Sequence, residues 1–225
     1  MDKINSIFDV LGPIMIGPSS SHTAGAARLG KIARYIANKD VKSVKFYLHG
    51  SFAETYKGHG TNRALTAGIL GMEPHDENLR FSLVIAKREG IDIDFIKMNL
   101  GNVHPNTVKL EITSSNNSIT SVTGSSLGGG AVVITEVNGF DVQITGKYYT
   151  LITKYNDKKG VISTVSSILS NNNINIASMR VKRKSRGLEA SMIIESDDYI
   201  SPTVLDEIRK LDIIDEVIKI EPVDI

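Results

Sequence analysis

The stretch GPSSSHTAG, residues 17–25, directly precedes a helical pattern and combines hydroxyl side chains with one histidine, His22. Serine oxygens can cap the first turn of a helix, where the leading N–H groups have no intrahelical partner and attract anions. In one interpretation the stretch is an ordinary helix cap with extra serines. In the other, a titratable imidazole beside the helix start binds and deprotonates a small carboxylate substrate. The stretch alone leaves both interpretations open.

The composition narrows the function classes. A chain of 225 residues with a net charge of +1 and interspersed charges carries no electrostatic signature of a nucleic-acid or anionic-membrane partner. Cysteine is absent, which excludes disulfides, a thiol nucleophile and cysteine-ligated metal within this sequence. Any iron–sulfur chemistry would therefore need another subunit. No apolar run approaches the roughly 18 residues of a spanning helix, and residues 1–11 predict an amphipathic helix rather than a signal peptide, so we predict a cytoplasmic protein.

The first part of the chain, residues 1–146, predicts an α+β domain. Apolar and small residues after residue 25 recur at the spacing of an amphipathic helix, and two more helices are predicted around residues 64–70 and 79–89. This makes three main helices, followed by a mostly antiparallel sheet. The predicted strands are residues 41–49, 91–97, 107–113, 118–123, 131–137 and 140–145.

A second pattern begins near residue 147. Strands are predicted at residues 148–154, 174–182, 188–195 and 213–220, with helices after Gly160 and from Pro202. The order β-α-β-β-α-β in a short segment is the ferredoxin-like arrangement. We therefore predict that residues 147–225 form a second, independently folding domain.

Three further motifs of the first domain contain histidine or glycine in loop contexts. KGHGTNR, residues 57–63, places His59 between glycines at a helix start, and NVHPN, residues 102–106, is typical of turns. GSSLGGG, residues 124–130, would separate two strands, where its glycines either let backbone approach a ligand or form a bulge. It leads into a strand and so is not a dinucleotide-binding fingerprint.

In this order, the four motifs resemble those of the beta subunit of the iron–sulfur-dependent L-serine dehydratases in their two-subunit form. Residues 148–225 resemble an ACT domain, and the first domain is similar to a substrate-binding regulatory domain of some phosphoglycerate dehydrogenases. The resemblance implies conversion of L-serine to pyruvate and ammonia together with an alpha subunit. That partner would carry a cysteine-ligated 4Fe-4S cluster, whose open iron site acts as a Lewis acid on the substrate hydroxyl.

The resemblance also places three histidines, His22, His59 and His104, opposite the cluster. We assign His59 as the leading general base, because flanking glycines leave its imidazole unhindered. His22 and the N–H groups of the serine loop would grip the substrate carboxylate, and His104 would orient the substrate or hold the tautomer of a neighbouring imidazole, although the three assignments can be exchanged. The predicted substrate-binding residues are Ser19, Ser20, Ser21, Thr23 and Asn106.

Other polar residues receive structural interpretations. His49 and His75 lie outside the four motifs and are interpreted as structural. Lys57 is interpreted as a solvated surface lysine, with a contact to the substrate carboxylate as the alternative.

Resemblance to ACT domains implies an effector site near Asn156, Asp157 and Asn175 and contacts with a second copy of the chain. Lys159 stands where a proline usually precedes the glycine of this motif. A dimerisation module without a ligand is therefore the alternative for this domain.

A different class of function also fits the pattern. The chain could be a non-catalytic regulatory module that binds serine or a related small anion and modulates another enzyme. Such a sensor needs anion-binding N–H groups but no general base. The set of histidines therefore favours a lyase subunit over a sensor.

Overall fold

The computed structural model describes residues 14–223, so the helix predicted for residues 1–11 lies outside the described part. The chain divides into two compact units between Thr145 and Gly146, and the second unit extends to Pro222. Within residues 14–223, every helix is too short or too polar to cross a membrane.

The first unit opens with a π-helical segment, Ser20–Gly25, which continues directly into helix α1, Ala26–Ile36. The sequence predicts the helix and its cap, because Ser19 is extended and its side chain accepts a hydrogen bond from the His22 N–H. The first turn is π-helical, whereas the sequence predicts an α-helix there. A serine cap satisfies the leading N–H groups of either turn type, so the cap does not distinguish them. Short π-helical turns are uncommon and frequently occur at functional sites.

Four helical elements follow α1 in this unit. Helix α2 is only six residues long, too short to show a helical period in the sequence, and it is absent from the three predicted helices. The third predicted helix begins as a 3-10 turn capped by Asp76 and then becomes α-helical. The bounds are α2, Gly50–Thr55; α3, Thr61–Ile69; the 3-10 helix, Glu77–Phe81; and α4, Ser82–Arg88.

Six strands form the sheet of the first unit, in the order β2-β1-β3-β4-β5-β6. Strands β1 and β2 are parallel, because the helices from α2 to α4 connect them, and the remaining pairs are antiparallel. The mostly antiparallel α+β architecture is therefore confirmed. The bounds are β1, Ser43–Leu48; β2, Asp92–Lys97; β3, Thr107–Thr113; β4, Ile119–Gly128; β5, Ala131–Val137; and β6, Phe140–Ile144.

The glycine-rich stretch corrects one prediction. Residues 124–130 were expected to separate two strands, but β4 continues through Gly128, with register shifts where it pairs with β5. Only Gly129 and Gly130 form the turn, with φ of 59° and 83°. Positive φ at the central positions is typical of two-residue hairpin turns, and glycine adopts it without strain. The turn is held by buried Arg28, whose Nη1 donates to the Gly130 carbonyl at 2.6 Å.

Helices α1 and α3 cross in close contact above this sheet. A Cβ atom on Gly30 would lie 2.3 Å from the Leu65 carbonyl oxygen, and one on Gly68 would lie 2.0 Å from the Ala27 carbonyl oxygen. Backbone therefore approaches backbone at the crossing, and only glycine fits there. The crossing fixes the start of α3, which carries His59 just before it, relative to the π-helical segment that carries His22.

The second unit has the β-α-β-β-α-β order predicted for it. Its antiparallel sheet has the order β10-β7-β9-β8, and two helices cover an apolar core built around Leu151, Val165 and Ile194. The ferredoxin-like arrangement is confirmed. The bounds are β7, Tyr149–Asn156; α5, Val161–Asn171; β8, Ser178–Arg183; β9, Glu189–Ser196; α6, Pro202–Arg209; and β10, Ile214–Ile220.

Candidate active site

His22 lies buried in the π-helical segment and contacts a hydroxyl group at each ring nitrogen. Only 8% of the residue is exposed. Its Nδ1 lies 3.3 Å from the Ser19 Oγ, and its Nε2 lies 3.2 Å from the Ser51 Oγ. Phe52 packs against the ring edge-on, with the centroids 5.2 Å apart. The imidazole is therefore fixed in position and orientation.

The serine loop uses part of its hydrogen-bonding capacity internally. The His22 N–H donates to the Ser19 Oγ at 3.3 Å, and the Thr23 N–H donates to the Ser19 carbonyl at 2.8 Å. Two of the leading N–H groups that the sequence predicted to be open to an anion are thus occupied by Ser19.

His59 lies against His22 and is itself exposed. The two ring centroids are 4.9 Å apart and the rings meet edge to face at 88°. The His59 N–H donates to the Thr55 carbonyl at 2.9 Å, which ties the residue to the end of α2. The structure thus brings together two of the three predicted histidines, one buried and one accessible.

The environment of His22 favours its neutral form. Burial lowers the pKa of His22 below its usual value of 6.5, and the charge of nearby His59 lowers it further, while the contact with Ser51 acts in the opposite direction. His22 is thus held as a neutral ring beside the accessible ring of His59.

A cleft of about 210 Å³ opens beside this pair. Its polar lining is dominated by basic side chains, with the Thr23 hydroxyl at one side. Its volume suits a molecule the size of an amino acid. The lining residues that carry chemistry are Thr23, Lys57, His59, Arg63 and Arg80.

His104 occupies a loop next to the start of α2, and its side chain is exposed. Its Nδ1 accepts a hydrogen bond from the Asn106 N–H at 3.1 Å, so Nε2 is the ring nitrogen that points away from its own loop. The loop meets the α2 segment through backbone hydrogen bonds from the Phe52 N–H to the Pro105 carbonyl at 3.5 Å and from the His49 N–H to the Thr107 carbonyl at 3.0 Å. The loop that carries His104 is therefore packed against the start of α2, while the ring contacts given for His22 are with Ser19, Ser51, Phe52 and His59.

Several buried side-chain oxygens around the serine loop have no hydrogen-bond partner within residues 14–223. They are Thr23 Oγ1, Asn106 Oδ1 and Ser126 Oγ. Ser126 occupies the space beside Gly25, where a Cβ atom would lie 2.0 Å from its Oγ. Buried oxygens of this kind need a partner, so they are available to water or to a bound ligand.

The structure also adds residues that the sequence did not indicate. Ser51 and Phe52 contact His22, and Arg63 and Arg80 line the cleft. Ser51, Phe52 and Arg80 lie outside the four motifs, and Arg63 ends the KGHGTNR motif, where the sequence alone gives it no role. Each reaches the site through the packing of its element. His49, interpreted as structural, accepts a hydrogen bond from the Leu100 N–H at 3.1 Å and so holds the loop that follows β2.

In the second unit, the residues expected to bind an effector lie in different environments. The Asp157 carboxylate accepts hydrogen bonds from Arg183 and from the Gly187 N–H, both at 3.1 Å, and these contacts hold its pKa below the usual range. Asp157 thus closes the β8–β9 hairpin. Asn175 lines an open cleft beside α5, and its N–H donates to the Asp198 carboxylate. Asn156 is the last, exposed residue of β7.

Iron–sulfur clusters are usually held by cysteine thiolates. The sequence contains no cysteine, and residues 14–223 contain no group of three His, Cys, Asp or Glu side chains arranged to hold a metal ion. The residues of this chain therefore do not fit an iron–sulfur cluster of their own.

Two family models match parts of this chain. The family model described as "Serine dehydratase beta chain" matches residues 6–88, and the one described as "ACT domain" matches residues 149–212. The first region includes two of the four motifs, residues 17–25 and 57–63, while residues 102–106 and 124–130 lie beyond it. The second region covers the β-α-β-β-α-β unit up to the loop before its last strand.

Three relatives illustrate the similarity. The chain is 44% identical over 218 residues to the probable L-serine dehydratase, beta chain, of Bacillus subtilis, covering 97% of this chain and 99% of the relative. It is 44% identical over 200 residues to the L-serine dehydratase, beta chain, of Peptoniphilus asaccharolyticus, covering 88% and 90%. A D-3-phosphoglycerate dehydrogenase of Synechocystis is 28% identical over 187 residues, which cover 83% of this chain but 34% of the dehydrogenase. The full-length matches and the two family regions show that the chain belongs to the family of L-serine dehydratase beta chains.

Proposed function

We propose that this chain and an alpha chain together dehydrate L-serine to pyruvate and ammonia, with the α-proton removed on this chain. The observation that carries the proposal is the contact between His22 and His59 at a cleft lined by basic side chains. A weakly acidic C–H bond needs a positioned base, and an imidazole is the side chain best suited to that task near neutral pH.

In this proposal His59 accepts the proton from the α-carbon. Its ring is exposed and lies in the cleft lining, so it can contact a bound amino acid. His22 acts as a positioning residue, because hydroxyl groups engage both of its nitrogens and its lowered pKa keeps it neutral beside the protonated His59. His104, through its outward Nε2, and the unpartnered Asn106 amide oxygen would orient the substrate.

After proton removal, the products form by elimination of water and then hydrolysis. Loss of the α-proton and of the β-hydroxyl as water leaves 2-aminoacrylate, which tautomerises to an imine. Water then hydrolyses the imine to pyruvate and ammonia. Assistance to the leaving hydroxyl is proposed to come from a 4Fe-4S cluster on the alpha chain, since this chain lacks the ligands for one.

The test is anaerobic reconstitution of this chain with its alpha chain, with pyruvate formation from L-serine as the readout. His59→Ala is expected to lower kcat by about 100- to 10,000-fold, the contribution of a positioned general base. His75→Ala is the matched control, because His75 is exposed and lies outside the cleft lining. Full activity of the His59→Ala mixture would remove His59 from the mechanism, and pyruvate formation by this chain alone would refute the shared site.

The second candidate is a regulatory module without catalysis. It is favoured by the similarity of most of this chain to about a third of a D-3-phosphoglycerate dehydrogenase, which shows that related segments occur in other enzymes. A module of this kind would bind L-serine as an isolated chain, and His59→Ala in a mixture with any partner would change the response to serine rather than the chemistry.

A further inference from the structure

The cleft beside His59 carries positive charge that no described acidic residue balances. Lys57, Arg63 and Arg80 line it, and no aspartate or glutamate appears among its described lining residues. Within residues 14–223, none of the three cations forms an ion pair with a carboxylate. A concave surface with charge of one sign concentrates the opposite charge, so this cleft attracts an anion.

Of the three cations, Arg63 has the most rigidly held backbone. It lies in the first turn of α3, the helix locked against α1 at the Gly30–Gly68 crossing, and its carbonyl accepts a hydrogen bond from the Ser82 Oγ at 2.7 Å. Lys57 lies in a turn, and the Arg80 guanidinium is stacked over the Phe81 ring at 5.0 Å. A guanidinium offers two parallel N–H donors that match the two oxygens of a carboxylate.

The serine loop is less well suited to bind the same carboxylate. The backbone N–H groups of His22 and Thr23 already donate hydrogen bonds to Ser19. The His22 ring contacts hydroxyl groups at both nitrogens and is almost fully buried. Ser19 thus already occupies two backbone donors of the loop, whereas the charged side of the cleft offers cationic side chains that form no described ion pair.

We propose that Arg63 binds the α-carboxylate of the amino-acid substrate through two N–H···O hydrogen bonds, which presents the α-carbon to His59. Lys57 and Arg80 contribute the positive potential that draws the carboxylate into the cleft. This inference rests on the proposed function and extends it by naming the residue that recognises the carboxylate. It differs from the sequence-based assignment of that group to the serine loop.

The test uses the reconstituted two-chain enzyme with variants of this chain. Arg63→Gln is expected to raise KM for L-serine by about 10- to 100-fold, the loss of hydrogen bonds to a charged group, with a smaller change in kcat. Arg63→Lys keeps the charge without the planar fork, and we expect it to restore KM in part. Arg88→Gln is the matched control, since it removes the same charge from an exposed arginine outside the cleft and should leave KM within about twofold.

L-Serinamide, which lacks the carboxylate charge, separates carboxylate recognition from a general loss of structure. We expect its inhibition constant against serine turnover to change less than threefold in Arg63→Gln, because the missing contact is one that serinamide does not make. An equal rise in the serine KM and in the serinamide inhibition constant would overturn the proposal, as would an unchanged serine KM.

The outcomes also separate this proposal from the proposed function. Wild-type turnover with an unaffected Arg63→Gln variant would leave the lyase function intact and refute the Arg63 assignment. If the wild-type pair made no pyruvate, the lyase proposal would fail, and acetate titration of the isolated full chain would still decide the binding site. In the wild type, acetate should shift the NMR signals of His59 and of the Arg63 side chain. In Arg63→Gln, acetate should leave the His59 signals unchanged. If acetate shifted neither set of signals in the wild type, the binding site would be refuted.

Discussion

At the scale of single residues, the candidate site depends on how differently two identical side chains are placed. His22 is buried, with a hydroxyl group at each ring nitrogen, whereas His59 is exposed beside the cleft. Burial penalises the charged form of an imidazole. The contact between the two rings therefore pairs a buried ring held neutral with a ring that is accessible from the cleft.

The first prediction concerns the titration of His22. Its folded pKa lies below 6.5, with burial as the larger cause and the charge of His59 as the next. His59→Ala should therefore raise the midpoint of His22 while leaving it below 6.5, because burial remains. The measurement is an NMR titration of the imidazole protons in the full chain, with His75→Ala as the control. A midpoint for His22 above 6.5 in the wild type would contradict the structure.

The same shift affects stability with a defined sign. A group whose pKa is depressed on folding binds its proton more readily in the unfolded chain. The contribution of His22 to the free energy of unfolding is therefore complete above pH 6.5 and is lost as the pH falls through its lower folded pKa. In His22→Gln this part of the acid destabilisation should disappear, as measured by urea unfolding between pH 5 and 8.

At the scale of secondary-structure elements, the crossing of α1 and α3 positions the site. Each helix delivers one part of it, since α1 continues from the segment with His22 and α3 follows His59 and carries Arg63. Glycines at the contact let the two backbones approach more closely than any side chain would allow. The helix contact at the two glycines therefore helps to place the two histidines relative to each other.

The second prediction tests this contact with Gly68→Ala. The added Cβ would lie 2.0 Å from the Ala27 carbonyl oxygen and 2.6 Å from the Lys31 nitrogen, so the helices must separate. Overpacking of this kind lowers the free energy of unfolding by about 1–3 kcal/mol, more than the gain of up to about 1 kcal/mol from replacing a helical glycine. Urea unfolding of the full chain, followed by circular dichroism, measures it.

Gly58→Ala is the matched control for this substitution. The nearest atom to its new Cβ would be the Thr55 carbonyl oxygen at 3.8 Å, which is ordinary contact. We expect a change within about 0.5 kcal/mol. Equal destabilisation by both variants would show that the helix crossing is not the cause.

At the scale of the whole molecule, the chain is built from two units that each close their own sheet. Every strand of the second unit pairs within that unit, and its apolar core is made of its own residues. A unit with its own core and no missing sheet partner is expected to fold alone. The first unit carries the histidines and the cleft.

The third prediction is that residues 146–222, expressed alone, unfold cooperatively. The measurement is thermal unfolding by circular dichroism together with the dispersion of NMR signals. Val165→Asp is the control, since it places a charge at a fully buried position and should abolish the transition. A non-cooperative transition in the unaltered fragment would contradict the domain division. Sedimentation of the same fragment tests the self-association that the resemblance to ACT domains implies.

Most of the architecture could be predicted from local sequence patterns. Periodicity and turn residues predicted β3 and β5 at their observed bounds and the β-α-β-β-α-β order of the second unit, because these patterns depend on which face of each element is apolar. Local patterns could not show the π-helical turn, whose cap looks like that of an α-helix, or helix α2, which is too short for a period.

Which side chains contact one another became evident only from the three-dimensional packing. His22 and His59 are 37 positions apart in the chain, and their contact depends on backbone packing at two glycines of a helix crossing. Ser51 joins the site through the packing of its helix, although nothing near it in sequence marks it as functional. Arg63 ends the KGHGTNR motif, and only the structure shows that it lines the cleft. Residue types and motifs follow from local sequence, whereas distances between side chains on separate elements follow from how closely the elements can pack.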